Sequence, residues 1–110
     1  MDTHPLPARF TPHEVTIRAL TGSGGMGDTY ADPVPEVPAF VVDERTLVRD
    51  ASGAEVVSST QVHLGFDVVA PLGSLVTVWP GITGEREATV ITSSRAAHPR
   101  LPAYQTLALT

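Results

Sequence analysis

PLGSLVTVWPGITGEREATVITSSR, residues 71–95, reads as two apolar strands joined by a Gly-rich turn, with no catalytic side chain between them. Leu75-Val76-Thr77-Val78-Trp79 is nearly all β-branched or aromatic, the residue types that suit a pleated, half-buried surface. Pro80, Gly81 and Gly84 then mark a turn, and Ala88-Thr89-Val90-Ile91-Thr92 runs back. The strongest hydrophobic signal of the chain therefore falls on a bare β-hairpin. That points to a scaffold, in which surfaces matter more than a reactive centre.

Outward from this hairpin the pattern repeats. Over residues 13–20, Val15, Ile17 and Ala19 alternate with Glu14, Thr16 and Arg18, as in a half-buried strand. Residues 40–43 read as a short strand with 46–49 as its continuation, and Asp50-Ala51-Ser52-Gly53 suits a type I turn. Residues 55–64 read as one strand with Val56, Val62 and Leu64 on a common face, and 67–69 as a further short one. Residues 103–109 form the last strand, with Leu107 and Leu109 on one face. Val76, Val78, Val90, Ile91, Leu107 and Leu109 are the expected core.

Six or seven short strands and no helix-period segment give an all-β fold, a small β-barrel or sandwich built as one domain over 1–110. Residues 1–12, rich in proline, form an extended N-terminal arm. Residues 21–38, TGSGGMGDTYADPVPEVP, hold four glycines and three prolines and are expected to be one long irregular loop.

Composition works mostly by exclusion. No cysteine is present, which removes disulfides and thiolate metal sites. No apolar run approaches the roughly 20 residues of a membrane span, and the first residues lack a basic-then-apolar leader pattern, so a soluble protein outside membranes is expected. Twelve acids face seven bases, and every base is arginine. The absence of both lysine and asparagine points to a GC-rich genome. The shortage of positive charge argues against a grip on nucleic acid, which needs a basic patch to displace counterions.

The motifs that imitate chemistry fail on context. Gly22-Ser23-Gly24-Gly25-Met26-Gly27 has the G-x-G-x-x-G form, but a dinucleotide site needs a helix to begin there, and Pro33 and Pro35 follow closely. His4, His13, His63 and His98 lack the spacings of metal sites, and His63 with Asp67 is the one pairing worth testing as a ligand. Ser58-Ser59 and Ser93-Ser94 lie in strands without a nucleophile elbow. Glu85 and Glu87, beside Arg86, read as a solvated turn of mixed charge before they read as a catalytic carboxylate pair. No enzyme, cofactor or metal is expected.

Three stretches carry a resemblance: Thr46-Leu47-Val48-Arg49-Asp50, Gly53-Ala54-Glu55-Val56-Val57-Ser58, and Pro71-Leu72-Gly73-Ser74-Leu75-Val76-Thr77-Val78-Trp79-Pro80-Gly81. With Glu85-Arg86-Glu87-Ala88-Thr89-Val90-Ile91, the ending from His98-Pro99 to Pro102-Ala103-Tyr104, and the Gly-rich segment with Tyr30, their order and spacing resemble the head-to-tail stopper proteins of tailed bacteriophages infecting actinobacteria. The resemblance covers about residues 20–110, and a GC-rich host agrees with it.

The resemblance implies a small β-barrel that forms a homo-oligomeric ring in the head–tail connector of the virion, assembled in the host cytoplasm. The portal and adaptor lie on one side of such a ring and the tail terminator or tail proteins on the other. It closes the channel after genome packaging, and double-stranded DNA passes through it at ejection. A long loop from each subunit reaches toward the channel. Here that loop is 21–38, with Gly22, Gly24, Gly25, Gly27, Asp28, Tyr30, Asp32 and Glu36 as candidate channel or gate residues. Its three acids and lack of bases would repel DNA phosphate and let the duplex slide.

Three other readings stand beside this one. A tail-completion or tail-tube-associated structural protein would share the same neighbourhood. A small ligand-binding β-sandwich would be favoured by an aromatic cluster around Trp79 and Tyr104 over a concave surface. An oligonucleotide-binding barrel needs exposed aromatics beside basic residues, and this chain has six aromatics and no lysine.

Overall fold

The computed structural model of the chain describes residues 11–25, 27–98 and 101–110. Ten strands occur among the described residues: β1 (His13–Arg18), β2 (Leu20–Gly24), β3 (Gly27–Tyr30), β4 (Val34–Val42), β5 (Thr46–Arg49), β6 (Glu55–Ser58), β7 (Thr60–Gly65), β8 (Leu75–Val78), β9 (Arg86–His98) and β10 (Leu101–Leu109). Six of them close a barrel in the order β1-β4-β7-β10-β9-β8, with every pairing antiparallel. The other four form two separate two-stranded sheets, β2–β3 and β5–β6. The expected all-β barrel is what the chain builds.

Alternation along each barrel strand produces the core. Val15 and Ile17, Val37, Ala39 and Val41, Val62 and Leu64, Val76 and Val78, Ala88 and Val90, and Leu107 and Leu109 all point inward and are buried. Five of the six residues expected in the core are there. Ile91 is not: it is the extra residue of a bulge, between Val90 opposite Leu109 and Thr92 opposite Ala108, and it is only half-buried.

The antiparallel order gives the barrel two distinct ends. Arg18, Val34, Gly65 and Leu75 lie at strand termini on what we term the upper end, where β2–β3 is inserted. His13, Val42, Thr60, Val78, Arg86 and Leu109 lie at the lower end, where β5–β6 is inserted. At the upper end β9 and β10 run on past β7, since Leu101 pairs with His98 while β7 stops opposite Tyr104.

Several local expectations are corrected. Residues 21–38 are not one irregular loop: 20–30 form the hairpin β2–β3, and 34–38 belong to β4, a barrel strand. The Gly-rich composition concealed a hairpin whose strands pair from Leu20↔Tyr30 to Gly24↔Gly27, with Gly27 at φ 101°. Residues 46–49 do not continue 40–43, because β5 turns away from the barrel to pair with β6. Residues 55–64 break at Ser59 into a hairpin strand and a barrel strand. Residues 67–69 form no strand; Gln105, itself buried, donates from Nε2 to the carbonyls of Gly65 and Val68 there and holds the turn. The arm expected over 1–12 lies outside the described residues up to residue 10, and so does the segment 99–100.

Candidate functional site

The hairpin β2–β3 gathers most of the residues singled out as channel-lining. Its root is fastened to the barrel at several points. Ala31 N–H donates to Ala19 O at 2.8 Å, Leu20 N–H to the buried Ser74 Oγ at 2.9 Å, and Arg18 Nε to Ala31 O at 3.4 Å. Thr21 and Thr29 join the two strands through their hydroxyls, 3.1 Å apart. Beyond this root, Gly24, Gly25, Gly27 and Asp28 are exposed, while Gly22 and Tyr30 are half-buried nearer the base. The segment is a short paired finger pinned at its root.

Its electrostatics differ from those of the isolated segment. Arg18, from β1, places its guanidinium carbon 5.6 Å from the centre of the Tyr30 ring, and the Tyr30 hydroxyl reaches Asp28 Oδ2 at 3.5 Å. A base thus stands at the foot of a segment whose own charges are all acidic. Asp32 is exposed in the link to β4. Glu36 is not part of the finger: with Pro35 it bulges opposite Thr16, between the pairs Val15↔Val37 and Ile17↔Val34, at φ 58°.

A second arrangement escaped the sequence reading. Trp79, His13, Phe40, His63 and Tyr104 form a continuous run of rings, with successive centroids 4.8, 5.8, 5.9 and 6.4 Å apart. They come from the end of β8 and from β1, β4, β7 and β10, five neighbouring staves of the barrel. The belt crosses the outer wall diagonally, from the lower end at Trp79 to the upper end at Tyr104. Neighbouring planes are inclined by 41° to 70°, so the rings pack against one another and offer no flat stacking platform.

His63 sits within this belt and not in a ligand set. Its Nδ1 lies 2.9 Å from Thr106 Oγ1, and burial pushes its pKa below the usual imidazole value, which favours the neutral ring. Asp67 is exposed in the turn after β7, and no metal-holding group of three or more His, Asp or Glu occurs among the described residues.

The lower end is tied by a polar clasp. Asp43 Oδ2 accepts from Trp79 Nε1 at 2.9 Å and Oδ1 from Thr60 Oγ1 at 2.8 Å. Arg86 donates to Thr60 Oγ1, to Ser59 Oγ and to Thr110 O. Ser58 Oγ, fully buried, donates to the Leu109 carbonyl at 2.8 Å and is committed to the barrel, not free as a nucleophile. Glu85 Oε1 accepts from Gly81 N–H at 2.9 Å and closes the turn after β8. Beside the clasp, Pro12, His13, Glu14, Trp79, Pro80 and Ile82 line a depression of about 280 Å³.

The β5–β6 tip is held just as firmly. Asp50 Oδ1 accepts from the Ser52 hydroxyl and from the N–H groups of Ser52 and Ala54. The Ser52 hydroxyl, with these backbone donors, holds the Asp50 carboxyl below its usual range.

No family model, curated protein or solved structure matches this chain.

Proposed function

We propose that this chain is a structural subunit of the head–tail connector of a tailed bacteriophage infecting actinobacteria. In this role it forms a ring below the portal and adaptor, closes the DNA channel after packaging, and gives the tail its docking surface. The observation that carries the reading is the independence of barrel and finger. All six staves and the packed core are complete without β2–β3, whose two ends meet at the Ala31 to Ala19 hydrogen bond. A projection of that kind can line or obstruct a channel without risk to the fold.

Two further features support it. The upper end exposes the apolar residues Val34, Val69 and Leu72, as a subunit stacked on a different partner would. Asp28 and Asp32 are exposed on and beside the finger, and ring symmetry would repeat them around a lumen, where they repel DNA phosphate. Gating would then act through a paired hairpin held at its root, not through a loose loop. A tail-completion role would use the same surfaces. Binding of the purified protein to an isolated portal–adaptor complex and not to tail tubes supports the stopper role. Binding to tail tubes alone would overturn it.

A further inference from the structure

We propose that the hairpin β5–β6 seats against the depression beside Trp79 of a second copy of this chain, a head-to-tail contact repeated from subunit to subunit. For closure into a ring this rests on the connector reading; the contact itself does not.

The hairpin has one committed face and one free face. Val48 and Val56 pair across the strands and are half-buried, whereas Leu47 and Val57 pair on the opposite face and are 67% and 46% exposed. A two-stranded hairpin is marginally stable in water by itself, and an exposed apolar pair on one invites cover. The tip is pre-organised by Asp50, whose Oδ1 accepts from the N–H groups of Ser52 and Ala54 and from the Ser52 hydroxyl, so docking costs little ordering.

The depression is the complementary surface. Its walls are Trp79, His13 and two prolines, its rim holds Ile82 at 61% exposure, and its one charge is the exposed Glu14. Arg49 lies next to Leu47 on the free face; held only by Gly53 O and a loose 3.7 Å pair with the exposed Glu55, its guanidinium can turn to Glu14 of the neighbour. Apolar pair meets apolar wall, and base meets acid.

Placement suits a second copy. The hairpin leaves the lower end between β4 and β7, and the depression lies at the same end where β8 meets β1. Two different patches at one level, separated around the barrel wall, define a heterologous contact, and such contacts repeat into closed rings when the rotation allows.

The chain has no cysteine, which makes a direct test clean. Full-length Leu47→Cys and Ile82→Cys proteins are mixed and oxidised mildly. A disulfide joining position 47 of one chain to position 82 of another, in excess over either homodisulfide, is expected. In parallel, Leu47→Asp and Ile82→Asp should each sediment as single chains with wild-type circular dichroism. Their mixture should double in mass and grow no further, since each supplies the half the other lacks. Homodisulfides in excess, or no gain on mixing the aspartate variants, overturn the contact. Rings seen by electron microscopy without the 47–82 disulfide would sink the contact and leave the connector reading intact. Open chains carrying that disulfide would do the reverse.

Discussion

Trp79 donates its indole N–H to Asp43 Oδ2 at 2.9 Å while its own backbone sits at φ 54°, a conformation that costs a bulky residue energy. The same carboxylate accepts from the buried Thr60 through its other oxygen. One exposed side chain thus holds the ends of β8 and β7 to the end of β4.

Asp43→Ala should therefore destabilise the protein by about 1–2 kcal/mol, below the upper range for charge-assisted hydrogen bonds because the site is partly open to water. Asp43→Asn keeps one acceptor and should cost less. Urea denaturation followed by Trp79 fluorescence checks both.

The core makes a sharper contrast. Leu64 and Leu107 are fully buried, and truncating either to alanine should cost about 2–5 kcal/mol. Ile91→Ala should cost less than about 1.5 kcal/mol, because its side chain is only half-buried. Equal losses at Leu107 and Ile91 would contradict the register of β9.

His63 sets a direction for pH dependence. Its folded-state pKa lies below the unfolded value of 6.5, so between the two the unfolded chain binds more protons and stability rises with pH. Its contribution is full above 6.5 and declines as the pH falls through that window. His63→Gln removes this component; urea midpoints measured from pH 7.5 to pH 5 should fall less for the variant than for wild type.

Glu36 occupies the left-handed region within a bulge, where glycine is at ease. Glu36→Gly should leave stability unchanged or raise it by roughly 0.5 kcal/mol, the relief of strain exceeding the added chain entropy. Thermal melting of the two proteins decides the sign.

The finger can be removed to test its role. Replacing residues 21–29 by Asn-Gly should leave the barrel folded, since no stave lies within that span. Particles assembled with this variant should join the adaptor yet leak DNA before tails attach. Asp28→Arg with Asp32→Arg should instead make ejection slower and salt-sensitive, through new phosphate contacts. Deletion particles that retain their genome as well as wild type would reduce the finger to a bystander.

The barrel was legible wherever a strand alternates cleanly: Val76 and Val78, Leu107 and Leu109 follow from period two alone. Ile91 shows the limit, since it is the unpaired residue of a bulge in β9 that only the pairing with β10 reveals. In residues 21–38, glycine and proline counts masked pairing that depends on cross-strand partners such as Thr21 and Thr29, and a stretch of β4 in which Pro35 sits in a bulge and Pro38 pairs opposite Glu14. The aromatic belt had no local signature. Residues 13, 40, 63, 79 and 104 come together only through register and closure of the sheet, neither of which a single stretch of chain encodes.

The bore of the barrel is solid. Val15, Val62, Leu64, Val76, Val78, Leu107 and Leu109 fill it with no accessible surface left, so not even a water molecule threads a subunit from end to end. Whatever conduit this protein helps to form is therefore a property of the company it keeps. In the ring proposed above, its width would be set by how many copies stand in a circle and how far their fingers reach, not by the interior of any one barrel.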